Sequence, residues 1–211
     1  MTRELLIWGC GGFGREVHWL CEILGIEVVG FLDERPQMKG VVVDAVPVMG
    51  DITDLIHLRG KVPVLCAGVG DPALKRKFAS KTLDAGFAFA EPIIHPDVRV
   101  SKRNHIGTGS VITEGTIMTV NVDIGRHVVV NLACTLGHDI VMEDYCTVSP
   151  GVNLSGNVRV GEGAYLGTGC AIREKVVIGP WSVVGGGAFV ARDVRAHTLV
   201  AGVPADFKKD L

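Results

Sequence analysis

The sequence predicts a two-part fold, with a small α/β unit over residues 1–90 and an all-β parallel solenoid over residues 100–211, joined by a linker at 91–99. Three observations carry this. A six-residue hydrophobic repeat runs without slippage from Val100 to Arg195. The N-terminal stretch reads strand, glycine loop, helix, strand, acid. Two prolines, Pro92 and Pro96, lie between the two patterns.

The repeat is the stronger signal. Its hexads open at Val100, Ile106, Ile112, Met118, Ile124, Val130, Leu136 and onward to Val190, and all sixteen openers are Ile, Leu, Val or Met. The fifth position is small or β-branched, as at Ser110, Thr116, Cys134, Cys146, Ala164 and Cys170, and Gly often follows the opener. A period of six suits neither an isolated helix nor a two-sided strand. It suits a solenoid in which each hexad is one short strand and one corner, with the aliphatic opener filling the interior. Three hexads make a triangular coil of 18 residues, so the stretch holds about five coils and stands about 25 Å tall at the spacing of neighbouring strands.

In the first unit, Leu5–Trp8 is an apolar run that reads as a buried strand. Gly9-Cys10-Gly11-Gly12-Phe13-Gly14 follows, then a helix from Arg15 to Leu24, then a strand from Ile26 to Leu32 ending at Asp33-Glu34. The loop matches G-x-G-x-x-G. Its glycines let backbone approach a phosphate, whose charge meets the N–H groups that open the helix. Residues 35–61 give a turn at Pro36–Gly40, a short strand at Val41–Val43 and a short helix capped by Asp51. Val62–Ala67 is a strand, Gly68-Val69-Gly70 a second glycine turn, and Asp71-Pro72 a capped helix start running to about Asp84. Phe87–Phe89 closes the unit. The whole reads as a Rossmann-like α/β unit with room for one mononucleotide half, which argues against a full nicotinamide dinucleotide site.

Bulk properties set the class. The 211 residues carry a net charge of −2 and no basic run longer than Lys75-Arg76-Lys77, which argues against nucleic-acid or membrane partners. No apolar run approaches the length of a membrane span and the N-terminus is unlike a signal peptide, so a cytoplasmic protein is expected. The six Cys show no CxxC spacing and read as buried free thiols, with no disulfide or metal site expected.

Among seven histidines, His138 stands out. It follows the opener Leu136 and Gly137, so it points outward near a corner, with Asp139 beside it. Acyl transfer to an amine or hydroxyl needs a base and a donor for the oxyanion. Gly156 lies one coil later, which stacks its N–H above His138 and leaves room for substrate.

Taken together, the glycine loop, the Ile93-Ile94-His95-Pro96 segment, the hexads with Gly137-His138-Asp139, and the tail Gly202-Val203-Pro204-Ala205 resemble the NeuD/PglD-type sugar acetyltransferases, of the hexapeptide-repeat acyltransferases. The resemblance implies a left-handed parallel β-helix, a homotrimer, and acetyl-CoA as co-substrate between solenoids, without a metal. It implies His138 as general base, Asp139 as the carboxylate beside it (Glu is common there) and Gly156 as oxyanion donor. Thr147, Thr168 and Gly186 fall where acetyl-CoA is touched, although Thr147 replaces a His of some members, and the Gly-Val-Pro-Ala tail falls near the coenzyme arm. Gly11, Gly12, Phe13, Asp33 and Glu34 fall where the nucleotide sugar is held, with Phe13 standing where a His is common. Gly70, at a strand's C-terminal edge, and Asn131 are further candidate contacts.

The expected activity is acetyl-CoA-dependent N-acetylation of a nucleotide-linked amino-deoxy sugar, by direct transfer. O-acetylation of sialic acid or a related sugar needs the same base and stays open, as does a non-catalytic scaffold with a nucleotide-sensing unit.

Overall fold

The computed structural model describes residues 3–211. In the front unit, β1 (Arg3–Trp8) lies between β2 (Ile26–Leu32) and β5 (Val64–Leu65), all parallel. Leu5, Leu6, Ile7 and Trp8 are buried, as a parallel strand covered on both faces demands. Outside β2 come β4 (Val46–Gly50), parallel, and β3 (Val42–Val43), antiparallel at the edge. Phe89 closes the far side with a single parallel bridge to Val64 rather than a full strand. β4 is absent from the sequence reading. Pro47 disguises it, yet the edge ribbon works around the missing donor: Val48 N–H reaches Val41 O at 2.7 Å.

Helix α1 (Gly12–Ile23) follows β1 and starts three residues before the expected Arg15. Gly12, Phe13 and Gly14 therefore form its first turn. Gly14 is required by packing, since a Cβ there would run into the Gly9 carbonyl. Helix α2 (Pro72–Asp84) is capped by Asp71, which accepts Leu74 N–H at 2.9 Å. Phe78 stacks on Trp8 with ring centroids 4.3 Å apart, and Trp8 Nε1 donates to Thr82 Oγ1 at 3.0 Å.

The second unit is the left-handed β-helix. Fifteen two-residue strands run from His105–Ile106 to Phe189–Val190, and each of the first twelve pairs in parallel with the strand 18 residues on, as Val129 does with Thr147. They form three faces, named here by their first members: the His105 face, the Val111 face and the Ile117 face. The second residue of each strand is the hexad opener and points inward. From Ile112 to Val190 every opener is buried, in one continuous core with the fifth-position residues.

The solenoid starts earlier than expected. Ile93–Ile94, placed in the linker by the sequence reading, pairs with Val111–Ile112 as the first rung of that face, whereas Val100 is 42% exposed and in no strand. Ile94 lies six residues before Val100, so the repeat extends one unit upstream. The prolines do not prevent it. The donors the rung needs are Ile93 N–H and His95 N–H, which bond to Ser110 O and Ile112 O, and Pro92 and Pro96 sit outside them.

The two units share a core. Val111 and Val129, outward-pointing on the Val111 face, are buried against Ile7, Val17 and Leu65. All six cysteines are buried and free. Among the described residues, no helix is long and apolar enough to cross a membrane.

Candidate active site

Three groups of candidate residues emerge, and one chain does not bring them together. The first lines a cavity of 740 Å³ between the front unit and the Val111 face. The opening turns of α1 (Phe13, Glu16) and α2 (Gly70, Asp71, Pro72, Ala73) form one wall. Asn131, Thr147, Ser149, Tyr165, Thr168 and Trp181 form the other. Gly11 caps α1 without any side-chain hydrogen bond, so the first N–H groups of that helix are open to an anion. Of the sequence candidates, Phe13, Gly70, Asn131, Thr147 and Thr168 line this cavity. Gly186 stands one coil above Thr168, where a Cβ would lie 3.1 Å from Thr168 O.

The second group, Asp33 and Glu34, closes β2 outside the cavity lining. Arg35 clamps Asp33 with Nε to Oδ1 at 2.8 Å and Nη2 to Oδ2 at 2.7 Å, and Cys10 Sγ donates to Oδ2 at 3.1 Å. Burial raises the Asp33 pKa, but the Arg35 hydrogen bonds outweigh it and carry the carboxyl down to about 2. Glu34 pairs with Lys77 and Lys81, each at 2.6 Å, and Lys81 also holds Asp51. Both acids are thus already paired within the chain, which the sequence reading did not foresee.

The third group sits at the corner between the Ile117 and His105 faces. His138 is exposed, and its Nδ1 lies 2.7 Å from Asp139 Oδ2. The other Asp139 oxygen accepts Asn121 Nδ2 at 2.9 Å. These two hydrogen bonds, from Asn121 first and then His138, hold the Asp139 carboxyl below its ordinary range. An ionised carboxylate only accepts, so His138 Nδ1 carries the proton and Nε2 is left as the acceptor. Gly156 lies against the ring: a Cβ on it would fall 2.5 Å from Nε2. Its N–H makes no hydrogen bond among the described residues. The corner therefore offers a basic nitrogen beside a free donor. It does not line the cavity, from which the strand Thr135–Leu136 separates it along the chain.

Sequence reasoning missed the joint between the units. Lys75 is fully buried, and its Nζ donates to Cys146 O and to Thr147 Oγ1, both at 2.7 Å. Thr147 Oγ1 in turn donates to Gly70 O at 2.6 Å. The hydroxyl of Thr147, expected to touch acetyl-CoA, is thereby committed to holding α2. Burial pulls the Lys75 pKa down to about 7. Nearby, Arg76 lies over the Trp181 ring at 4.2 Å. Lys75 stands three, four and seven residues before Phe78, Ala79 and Thr82, so helical spacing marked it as inward-facing even though its charge suggested solvent. Trp181 and Tyr165 carried no such signal, because both are outward positions in the repeat. Among the described residues, His95, Asp97 and Glu114 bring metal-type ligand atoms within 4.8 Å of one another. Two of the three are exposed, and His95 Nδ1 already accepts Asp97 N–H at 3.3 Å.

A left-handed hexad β-helix with a Rossmann-like front unit is the architecture of the hexapeptide-repeat acyltransferases. The PglD N-terminal domain family matches residues 4–82. The acetyltransferase domain of PglB from Neisseria gonorrhoeae, solved with acetyl coenzyme A, superposes with a TM-score of 0.85 at 33% identity, covering 100% of both chains. A histidine-to-asparagine variant of perosamine N-acetyltransferase from Caulobacter crescentus, solved with CoA and GDP-perosamine, superposes at 0.90 with 31% identity, covering 100% of this chain and 98% of that one. GDP-perosamine N-acetyltransferase of Escherichia coli O157:H7 is 34% identical over 88 residues, 41% of this chain. In these sequence matches the chain spans 40% of the length of that relative and 42% of the length of an acyl-[acyl-carrier-protein]–UDP-N-acetylglucosamine O-acyltransferase of Pseudomonas aeruginosa PAO1, 30% identical over 108 residues, 51% of this chain. The chain belongs to the NeuD/PglD-type acetyltransferase family.

Proposed function

We propose that the protein transfers the acetyl group of acetyl-CoA to the amino group of an amino-deoxy sugar carried on a nucleoside diphosphate. The observation that carries this reading is the open N–H of Gly156 beside Nε2 of His138, a base and an oxyanion donor on adjacent coils. The neutral sugar amine attacks the thioester carbonyl. Nε2 of His138 takes the amine proton, while Asp139, held by Asn121, keeps Nδ1–H in place and favours the imidazolium that forms. Gly156 N–H donates to the oxyanion of the tetrahedral intermediate. The intermediate then collapses, and the coenzyme leaves as the thiol, its sulfur taking up the proton that Nε2 of His138 releases.

The acceptor's diphosphate belongs in the cavity, where the opening turns of α1 and α2 converge. Phe13 lines the cavity, with Gly11 and Gly12 just before it at the start of α1, and Asn131 on the opposite wall would face the sugar. Thr168 and Gly186 lie on the corner next to the Ile117 face, the side on which acetyl-CoA would run. Because the His138 corner is not part of the cavity, a second copy of the chain completes the site by presenting that corner, in keeping with a homotrimer. Asp33 and Glu34 reach the nucleoside by exchanging their present partners, Arg35 for the first and Lys77 and Lys81 for the second.

The test is thiol release from acetyl-CoA with UDP-, dTDP- and GDP-linked 3-amino and 4-amino sugars, alongside His138→Ala. Turnover with one acceptor and a loss of about 10²-fold or more in the variant is expected. Undiminished turnover in the variant would remove His138 as base. A chain that binds acetyl-CoA yet accepts only hydroxyl sugars would overturn the amine assignment.

A further inference from the structure

Lys75 has no place in the chemistry above, yet it is the one lysine fully removed from solvent among the described residues. Isolating an ammonium from water is costly, and it persists only where its protons are matched by acceptors in good geometry. Here they are. The Cys146 carbonyl already accepts Val129 N–H within the ladder, and its second lone pair takes Lys75 Nζ at 2.7 Å. Thr147 Oγ1 takes another proton at 2.7 Å and passes its own to Gly70 O at 2.6 Å. Gly70 immediately precedes the Asp71 cap of α2 and lines the cavity. A chain of hydrogen bonds thus runs from α2 to the solenoid wall and back to the residue where α2 begins. A methionine at position 75 would fill the space and leave this closed loop unmade.

We propose that Lys75 is a positioning residue for the acceptor's diphosphate, fixing the α2 N-terminus against the solenoid at the separation the cavity requires. This rests on the reading of the cavity as the nucleotide-sugar site. Thr147 serves the same joint and is not a coenzyme contact.

The experiment is calorimetric titration of the intact protein with GDP, UDP, dTDP and acetyl-CoA, in wild type, Lys75→Met and Thr147→Val. Thr147→Val keeps the shape and the bond from Lys75 to Cys146 O while cutting the link to Gly70, so it serves even if Lys75→Met fails to fold. Both variants should bind the preferred nucleoside diphosphate about tenfold more weakly, the scale of a small misplacement of a binding group, with acetyl-CoA affinity within about twofold of wild type. Equal losses for both ligands, or none for either, would overturn the inference while leaving the cavity assignment in place. A loss confined to acetyl-CoA in Thr147→Val would return that residue to the coenzyme site. A wild-type chain that binds none of the three nucleoside diphosphates overturns the cavity assignment and this inference with it.

Discussion

Gly156 lies so close over the His138 ring that a single methyl group on it would sit 2.5 Å from Nε2. Alanine keeps the N–H but must displace the ring, so on the proposed reading it moves the base out of place and crowds the oxyanion donor. Gly156 has an ordinary backbone conformation and His138 is exposed, so the ring can swing away at little cost to the fold. The expected outcome for Gly156→Ala is a fall in kcat of about 10²-fold or more, the worth of a displaced general base. The melting temperature should be essentially unchanged. Steady-state kinetics beside a thermal melt checks both halves.

Asp139 fixes which nitrogen of His138 carries the proton. In Asp139→Asn, an amide nitrogen turned toward Nδ1 would favour the wrong tautomer and place a proton on Nε2. Loss of about 10²-fold in kcat is expected, with KM for acetyl-CoA little altered. Asn121→Ala leaves the carboxylate in place but free to rotate, so its loss should have the same sign and be smaller. An Asn121→Ala enzyme slower than Asp139→Asn would mean that Asn121 acts by some route other than Asp139.

Asp33 makes acid stability measurable. Its carboxyl titrates at about 2 in the folded chain, against an ordinary value of 3.8. A depressed folded pKa stabilises the fold above the unfolded value and is lost as pH falls through the folded one, so this contribution disappears between about pH 4 and pH 2. Allowing for the exposed Arg35 partner, it amounts to about 1–2 kcal/mol. Denaturant unfolding of Asp33→Asn should show that loss at pH 7 and a flatter dependence on pH below 4.

The early start of the solenoid separates two similar substitutions. Ile93 is buried in the first rung, whereas Val100 is half-exposed outside the ladder. Ile93→Ala should cost about 2–5 kcal/mol and Val100→Ala under about 1 kcal/mol. Urea midpoints in the reverse order would place the start of the repeat back at Val100.

The solenoid is legible because its rule is local: an aliphatic residue every six positions must point inward in any short-strand coil, and His138 is placed by its offset from Leu136. The cavity is not legible in this way, because Gly70 and Thr147 meet across 77 residues and two units. Charge is misleading for a related reason. Lys75 carries a charge that normally seeks solvent, and nothing local in the sequence shows that the Cys146 carbonyl and the Thr147 hydroxyl wait for it. The left hand of the coil came from family resemblance, since the period alone fits either hand.

The C-terminal tail gives the coil an end. Thr198–Ala201 adds a last rung to the Val111 face and pairs antiparallel with the charged, exposed strand Asp206–Asp210. Val194 bridges to Ile178 on the second face, and Gly202 and Ala205 bond to Phe189 on the third. A parallel ladder with open last strands is a template on which further strands can grow, as fibrils do. By covering the last rungs with a single bridge, a reversed charged strand and a loop, residues 194–211 act as a chain terminator, leaving no bare strand edge at that end of the coil for another strand to extend.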